Sequence, residues 1–176
     1  MSGQTFVDEL KKKFGAAIEG ANFENVDPWI EVSPSSVQAV CKHLREEPSL
    51  AFDYLNSVTA VDYLHTDPKK AAKVEWEPHV EVVYHLFSMQ HKHSLVLKAK
   101  LPRWKDDQPG VPPQIDTVST IWKTADWHER EVYDLMGVEF IGHPNLRRIL
   151  CPEDWVGHPL RRDYQMPLEY HGIRGR

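Results

Sequence analysis

Pro144, Pro152, Pro159 and Pro167 set the tightest limit on how this chain can fold. Each lacks a backbone N–H and fixes φ, so prolines at that spacing forbid a long helix or a central strand through the last third of the sequence. Phe140, Ile141, Leu146, Ile149, Leu150, Trp155 and Leu160 lie in the same stretch. An irregular segment carrying side chains of the buried kind must cover them with its own domain or with a partner. A solvated tail would be poorer in Trp, Ile and Leu.

Charge is segregated along the chain. All twelve lysines lie at or before Lys123, whereas seven of the nine arginines lie after it. The planar guanidinium suits fixed, bidentate contacts with carboxylates, while lysine suits a mobile, hydrated surface. Gly142-His143-Pro144 and Gly157-His158-Pro159 form a short internal echo, each copy followed by Leu-Arg-Arg at 146–148 and 160–162. Just upstream, a helix that stops at Gly137 places Arg130 four residues from both Asp126 and Asp134, within reach of either carboxylate. Around that helix Glu129, Arg130, Glu131 and Asp134 read either as a solvated face or as a lock at the root of the tail.

Glu129-Arg130-Glu131, Asp134-Leu135-Met136, His143-Pro144 and Arg147-Arg148 resemble, in that order, the signature of the 30 kDa-type (C-type) subunit of proton-translocating NADH:quinone oxidoreductase, respiratory complex I. The resemblance runs on through Asp154-Trp155, His158-Pro159 and Arg161-Arg162-Asp163-Tyr164, and upstream through residues 58–63 and 82–86. It implies a non-redox peripheral-arm subunit that supports the subunits carrying the terminal iron-sulfur cluster and the quinone site. Iron-sulfur clusters, FMN and quinone would then belong to partner subunits, with no catalytic, cofactor or metal residue on this chain. The implied partners are complex I subunits D and B, with I as a further candidate. The implied location is peripheral, on the cytoplasmic face of the bacterial inner membrane. The named motif residues would be interface and structural groups; as an extended arm, residues 127–164 could reach on the order of 100 Å.

The rest of the chain reads as one α+β domain over residues 1–126, followed by the signature helix and interface tail over 127–176. Its length suits a single core. Apolar spacing predicts a helix over residues 5–19, a strand over 29–32 and a second helix with Ser33 as cap, Pro34 in its first turn and Cys41 in its apolar stripe. Strands follow over 57–64, 80–87 and about 94–101, the last two forming an antiparallel hairpin with one wet face. The expected fold is therefore a mostly antiparallel sheet with helices on one side. Thr117 is the expected cap of the organising helix.

Tests for independent chemistry mostly exclude it. A net charge of -5 implies no basic face for nucleic acid. No apolar run approaches the roughly 20 residues of a membrane span, so membrane association would run through the complex. Asp8 and Glu9, with no arginine before Arg45, do not suit a mitochondrial presequence. His128-Glu129 opens like a zinc-protease helix, but Val132 stands where the second histidine is required. Two cysteines cannot hold a four-cysteine cluster, and no glycine-rich phosphate loop occurs. His143, Cys151 and His158 could in principle converge on a metal, and two alternatives remain open: the corresponding subunit of a membrane-bound hydrogenase, and a free-standing metal hydrolase using His143, His158 and an acidic partner.

Overall fold

Alternating side chains build the centre of the sheet. In the computed structural model, which describes residues 3–24 and 26–175, β4 (His79–Ser88) buries Val80, Val82, Tyr84 and Leu86. β5 (His93–Pro102) buries Leu95, Leu97, Ala99 and Leu101. They pair antiparallel, with Val82 opposite Ala99 and Tyr84 opposite Leu97. β3 (Tyr54–Tyr63) adds antiparallel to β4, three residues longer at its start than the sequence suggests. On the other side β2 (Trp29–Val32) runs parallel to β5, and β1 (Ile18–Asn22) closes the sheet in the order β1-β2-β5-β4-β3.

Helices α1 (Gly3–Phe14), α2 (Val37–Glu46) and α4 (Ala125–Met136) contribute to the same apolar cluster as the inner row of strands, while α3 (Pro68–Ala71) is a short surface turn. Val37, Val40, Cys41 and Leu44 are all buried, as the stripe requires. Burial pushes the Cys41 thiol well above its ordinary pKa, which suits a core residue rather than a nucleophile. The opposite face of the sheet carries the Lys98–Glu81 and Lys100–Glu31 pairs at 2.8 and 2.9 Å, but it is only partly wet, since Glu81, Val83 and Val96 on it are buried.

Three local expectations need correction. The first helix ends at Phe14 because Gly15 takes a left-handed φ of 55°, and Ile18 begins a strand instead of completing a helical stripe. Ser33 precedes a short 3-10 turn, Pro34–Ser36, and makes no capping bond to it. Thr117 does not cap α4, which starts eight residues later.

Between Thr117 and α4 the chain makes turns that hang from the sheet: Trp122 Nε1 donates to Phe52 O at 3.0 Å and Thr124 Oγ1 to Leu55 O at 3.2 Å. His128 Nδ1 accepts from Val58 N at 2.9 Å, next to the irregularity where β3 shifts register. β6 (Gln114–Asp116) and β7 (Glu139–Ile141) pair in parallel, so α4 is the crossover of a small strand-helix-strand unit. That unit shares the main core: Ala125, Val132, Met136, Val138 and Phe140 cluster with the sheet residues across the expected boundary at 126.

Candidate functional site: the tail anchored on helix α4

A helix that ends inside a protein leaves its last carbonyls without intrahelical donors. In α4 the tail supplies them. Gly137, left-handed at φ 64°, returns its N–H to Tyr133 O at 3.1 Å. His158 Nδ1 donates to Asp134 O at 3.0 Å, Leu160 N to Leu135 O at 3.0 Å, and Arg161 Nε to Met136 O at 2.5 Å. Arg161 also reaches Gly137 O and Arg103 O, and its guanidinium lies 4.5 Å from the Trp104 ring. Buried there without a carboxylate pair, it has its pKa lowered to about 10 by desolvation. The second Gly-His-Pro-Leu-Arg-Arg copy is therefore a C-terminal cap, with the cation placed where the helix dipole favours it.

The first copy grips the same helix further back. The His143 side chain is wholly buried; its Nε2 donates to Asp126 O at 3.1 Å and its Nδ1 accepts from Asn145 N at 3.1 Å. Arg148 reaches Asp134 Oδ1 at 2.9 Å and Gly157 O at 2.8 Å. Asp134 Oδ2 also accepts three successive backbone N–H groups, from Ile149, Leu150 and Cys151, at 3.0, 2.7 and 2.9 Å. Burial alone would raise this carboxyl's pKa, but those donors outweigh it and hold the group below its ordinary value.

Glu129 is buried in a different way. It accepts from Val118 N at 2.7 Å and from the Thr117 hydroxyl, so the helix holds the turn that leads into it. Desolvation dominates these two bonds and pushes its pKa up to about 7. Thus Glu129, Arg130 and Asp134 are buried, Asp134 alone of them bonds the tail, and Glu131 stays exposed. Arg130 does not bridge two aspartates: its Nε pairs with Asp126 at 2.9 Å over the Trp127 ring, while Asp134 turns to Arg148.

A third anchor was not visible in the sequence. Arg103 meets Asp62 with two bonds of 2.7 and 2.8 Å and Asp163 with two of 3.1 and 2.8 Å. The Asp62 bond is the main reason its pKa is raised. Arg162 contributes only its backbone N–H, to Asp62 at 3.0 Å, and its side chain is exposed. Arg103 is one of just two arginines before Lys123, which is the signal that could have singled it out.

The remaining candidates lie toward the surface. Pro144 and Arg147 are exposed and Pro159 is half-buried. Asp154 accepts from Tyr170 and His171 at 2.6 and 2.7 Å, and Trp155 packs 4.9 Å from the Tyr170 ring, steadying the terminal hairpin of β8 (Glu169–Tyr170) and β9 (Ile173–Arg174). The freely extended arm over residues 127–164 is corrected by these contacts, because Arg148, His158 and Arg161 find their partners within this chain. The convergence of His143, Cys151 and His158 on a metal is also overturned. The two histidines bond to carbonyls eight residues apart on α4, about 12 Å along the axis.

Two solved structures share this fold. A trypsin-resistant fragment of Nqo5 superposes with a TM-score of 0.62 at 24% identity, covering 83% of this chain and all of that fragment. A chain of the membrane-bound sulfane sulfur reductase, an archaeal respiratory membrane complex, gives 0.69 at 23% identity, covering 94% and 87%. At that identity the likeness establishes the fold class. Residues 30–170 match the family described as "Respiratory-chain NADH dehydrogenase, 30 Kd subunit", and the chain belongs to that family. The C-type subunit of the NADH-quinone oxidoreductase of Geobacter sulfurreducens is 44% identical over 160 residues, 91% of this chain and 88% of that protein. Its counterpart from Chloroherpeton thalassium is 39% identical over 175 residues, but this chain spans only 62% of that protein's length.

Proposed function

We propose that the chain is a non-redox scaffold of the peripheral arm of an NADH:quinone oxidoreductase, in which it supports the subunits carrying the terminal iron-sulfur cluster and the quinone site. In this reading the complex couples NADH oxidation and quinone reduction to proton translocation, and the electron carriers sit on partners. The tail docks against subunits D and B, with I a further neighbour. In this reading the chain is held peripherally, at the cytoplasmic face of the bacterial membrane, through the complex; among the described residues no helix is long and apolar enough to cross a membrane.

One observation carries this reading. Of thirteen large apolar side chains exposed among the described residues, seven lie beyond residue 140: Ile141, Leu150, Val156, Leu160, Met166, Leu168 and Ile173. The backbone around Leu150 and Leu160 is fixed by α4, so their exposure does not come from a loose tail. A pinned segment that turns apolar groups and the free Arg147 and Arg162 outward has the composition of an interface, where apolar anchors and arginines are enriched.

Chromosomal Leu150→Asp and Arg147→Ala variants test it. Each is expected to lower the amount of NADH-oxidising module that copurifies with the chain while the isolated variant keeps its unfolding midpoint. Normal recovery of the assembled complex from both variants would refute the docking role. Copurification with a hydrogen-evolving module instead would assign the chain to the hydrogenase-type alternative.

A further inference from the structure

Away from the tail, α1 and the end of α2 flank an open hollow of about 360 Å³ whose lining includes Lys13, Phe14, Lys42, His43 and Glu47, with Glu9 outside it. His43 is 9% exposed, and its Nε2 has no hydrogen-bond partner among the described residues. That nitrogen stands 3.8 Å from Glu9 Oε1, beyond hydrogen-bond range. One ligand atom each from Glu9, His43 and Glu47 lies within 4.8 Å of the others. His43 and Glu47 are four residues apart at the end of α2, and Glu9 comes from α1, so two elements distant in sequence supply the donors.

We infer that Glu9, His43 and Glu47 form a binding site for a divalent transition metal of the zinc type, which ties α1 to the end of α2. The donor set is one imidazole and two carboxylates, the three-ligand pattern that leaves a fourth position open. Donors around tetrahedral zinc lie roughly 3.3 Å apart, given bonds of about 2.0–2.2 Å. The two flexible glutamates therefore close by about 1 Å while the buried imidazole stays in place. Two carboxylates offer too few oxygens for calcium, and an imidazole favours zinc over magnesium.

Lys13 is the built-in competitor. Its Nζ lies 2.8 Å from His43 Nδ1, which leaves the ring proton on Nε2, facing the glutamates. Metal binding transfers that proton position to Nδ1 and expels the ammonium, whose charge the metal replaces. Glu9 lies outside the stretch matched by the family, residues 30–170, whereas His43 and Glu47 lie inside it.

Calorimetric titration of Zn²⁺ into the chelator-stripped full chain at pH 7 tests the site. One equivalent should bind saturably, at least tenfold more weakly in Glu9→Gln and several-fold more tightly in Lys13→Met, and Ca²⁺ and Mg²⁺ should give no saturable signal. Zinc should raise the thermal midpoint of the wild-type chain and leave that of Glu9→Gln where it was. Both variants change groups on α1 that reach solvent, so they remain informative should His43→Gln fail to fold. Absence of saturable zinc binding, or wild-type affinity in Glu9→Gln, overturns the proposal; the latter would place the metal on other histidines.

Discussion

Asp134 and Glu129 are both carboxylates buried on α4, yet their surroundings drive their protons in opposite directions. Asp134 has four donors from the tail, and its lowered pKa means that its contribution is present above the ordinary carboxylate range and is lost as pH falls through the folded value. Replacing it with alanine strands three backbone N–H groups and a guanidinium. The expected loss is about 3–5 kcal/mol, measured by urea unfolding of the isolated chain. Glu129 shows the reverse: a carboxyl raised from 4.5 to about 7 binds its proton more tightly when folded. Its contribution is complete below pH 4.5 and disappears as pH rises through 7, a decline of about 3 kcal/mol. Denaturant titrations at pH 5 and 8 should show the wild type losing stability toward pH 8 and Glu129→Gln losing much less. Equal slopes in the two chains would contradict the assignment.

At the scale of elements, α4 is held by flanking chain on both sides. Its first half carries Glu129 beneath the Thr117 turn, and its last carbonyls are closed by residues 158–161. Gly137 is the hinge of this cap. A Cβ there would overlap the His158 ring, in a backbone region that costs an L-residue about 1–2 kcal/mol. Gly137→Ala should therefore release the cap and speed tryptic cleavage at Arg147 and Arg162, read by mass spectrometry, without abolishing the sheet signal in circular dichroism. The end of α4 was legible at Gly137, and β4 and β5 from strict alternation. Among the elements that were not are β1, whose Ile-Glu-Gly-Ala-Asn has one large apolar residue, and β6 and β7, three residues each, whose pairing depends on the helix between them. The charged helix groups stood out in the sequence by their density. The anchors of Arg162 and Asp163 were not legible, because Asp62 and Arg103 meet the tail across 100 and 60 residues of chain, a distance no local pattern records.

For the whole molecule, the arginine-rich tail divides its labour. Arg148 and Arg161 face inward and hold α4, while Arg147, Arg162 and the apolar side chains around them face outward. A sequence reading that sends every guanidinium to a partner misses this division, since the motif repeats Arg-Arg and only folding decides which member of each pair turns in. One consequence separates the two classes: Arg161→Ala should lower the stability of the isolated chain, whereas Arg147→Ala should leave it unchanged and affect assembly alone, as thermal unfolding beside copurification would show. The outward surface is most directly tested by hydrogen exchange of the native assembly against the isolated chain. Peptides spanning residues 147–174 should exchange more slowly in the assembly, while those of β4 and β5 stay nearly unchanged. Equal exchange of residues 147–174 in both forms would contradict the claim that this pinned segment is where the chain meets its partners.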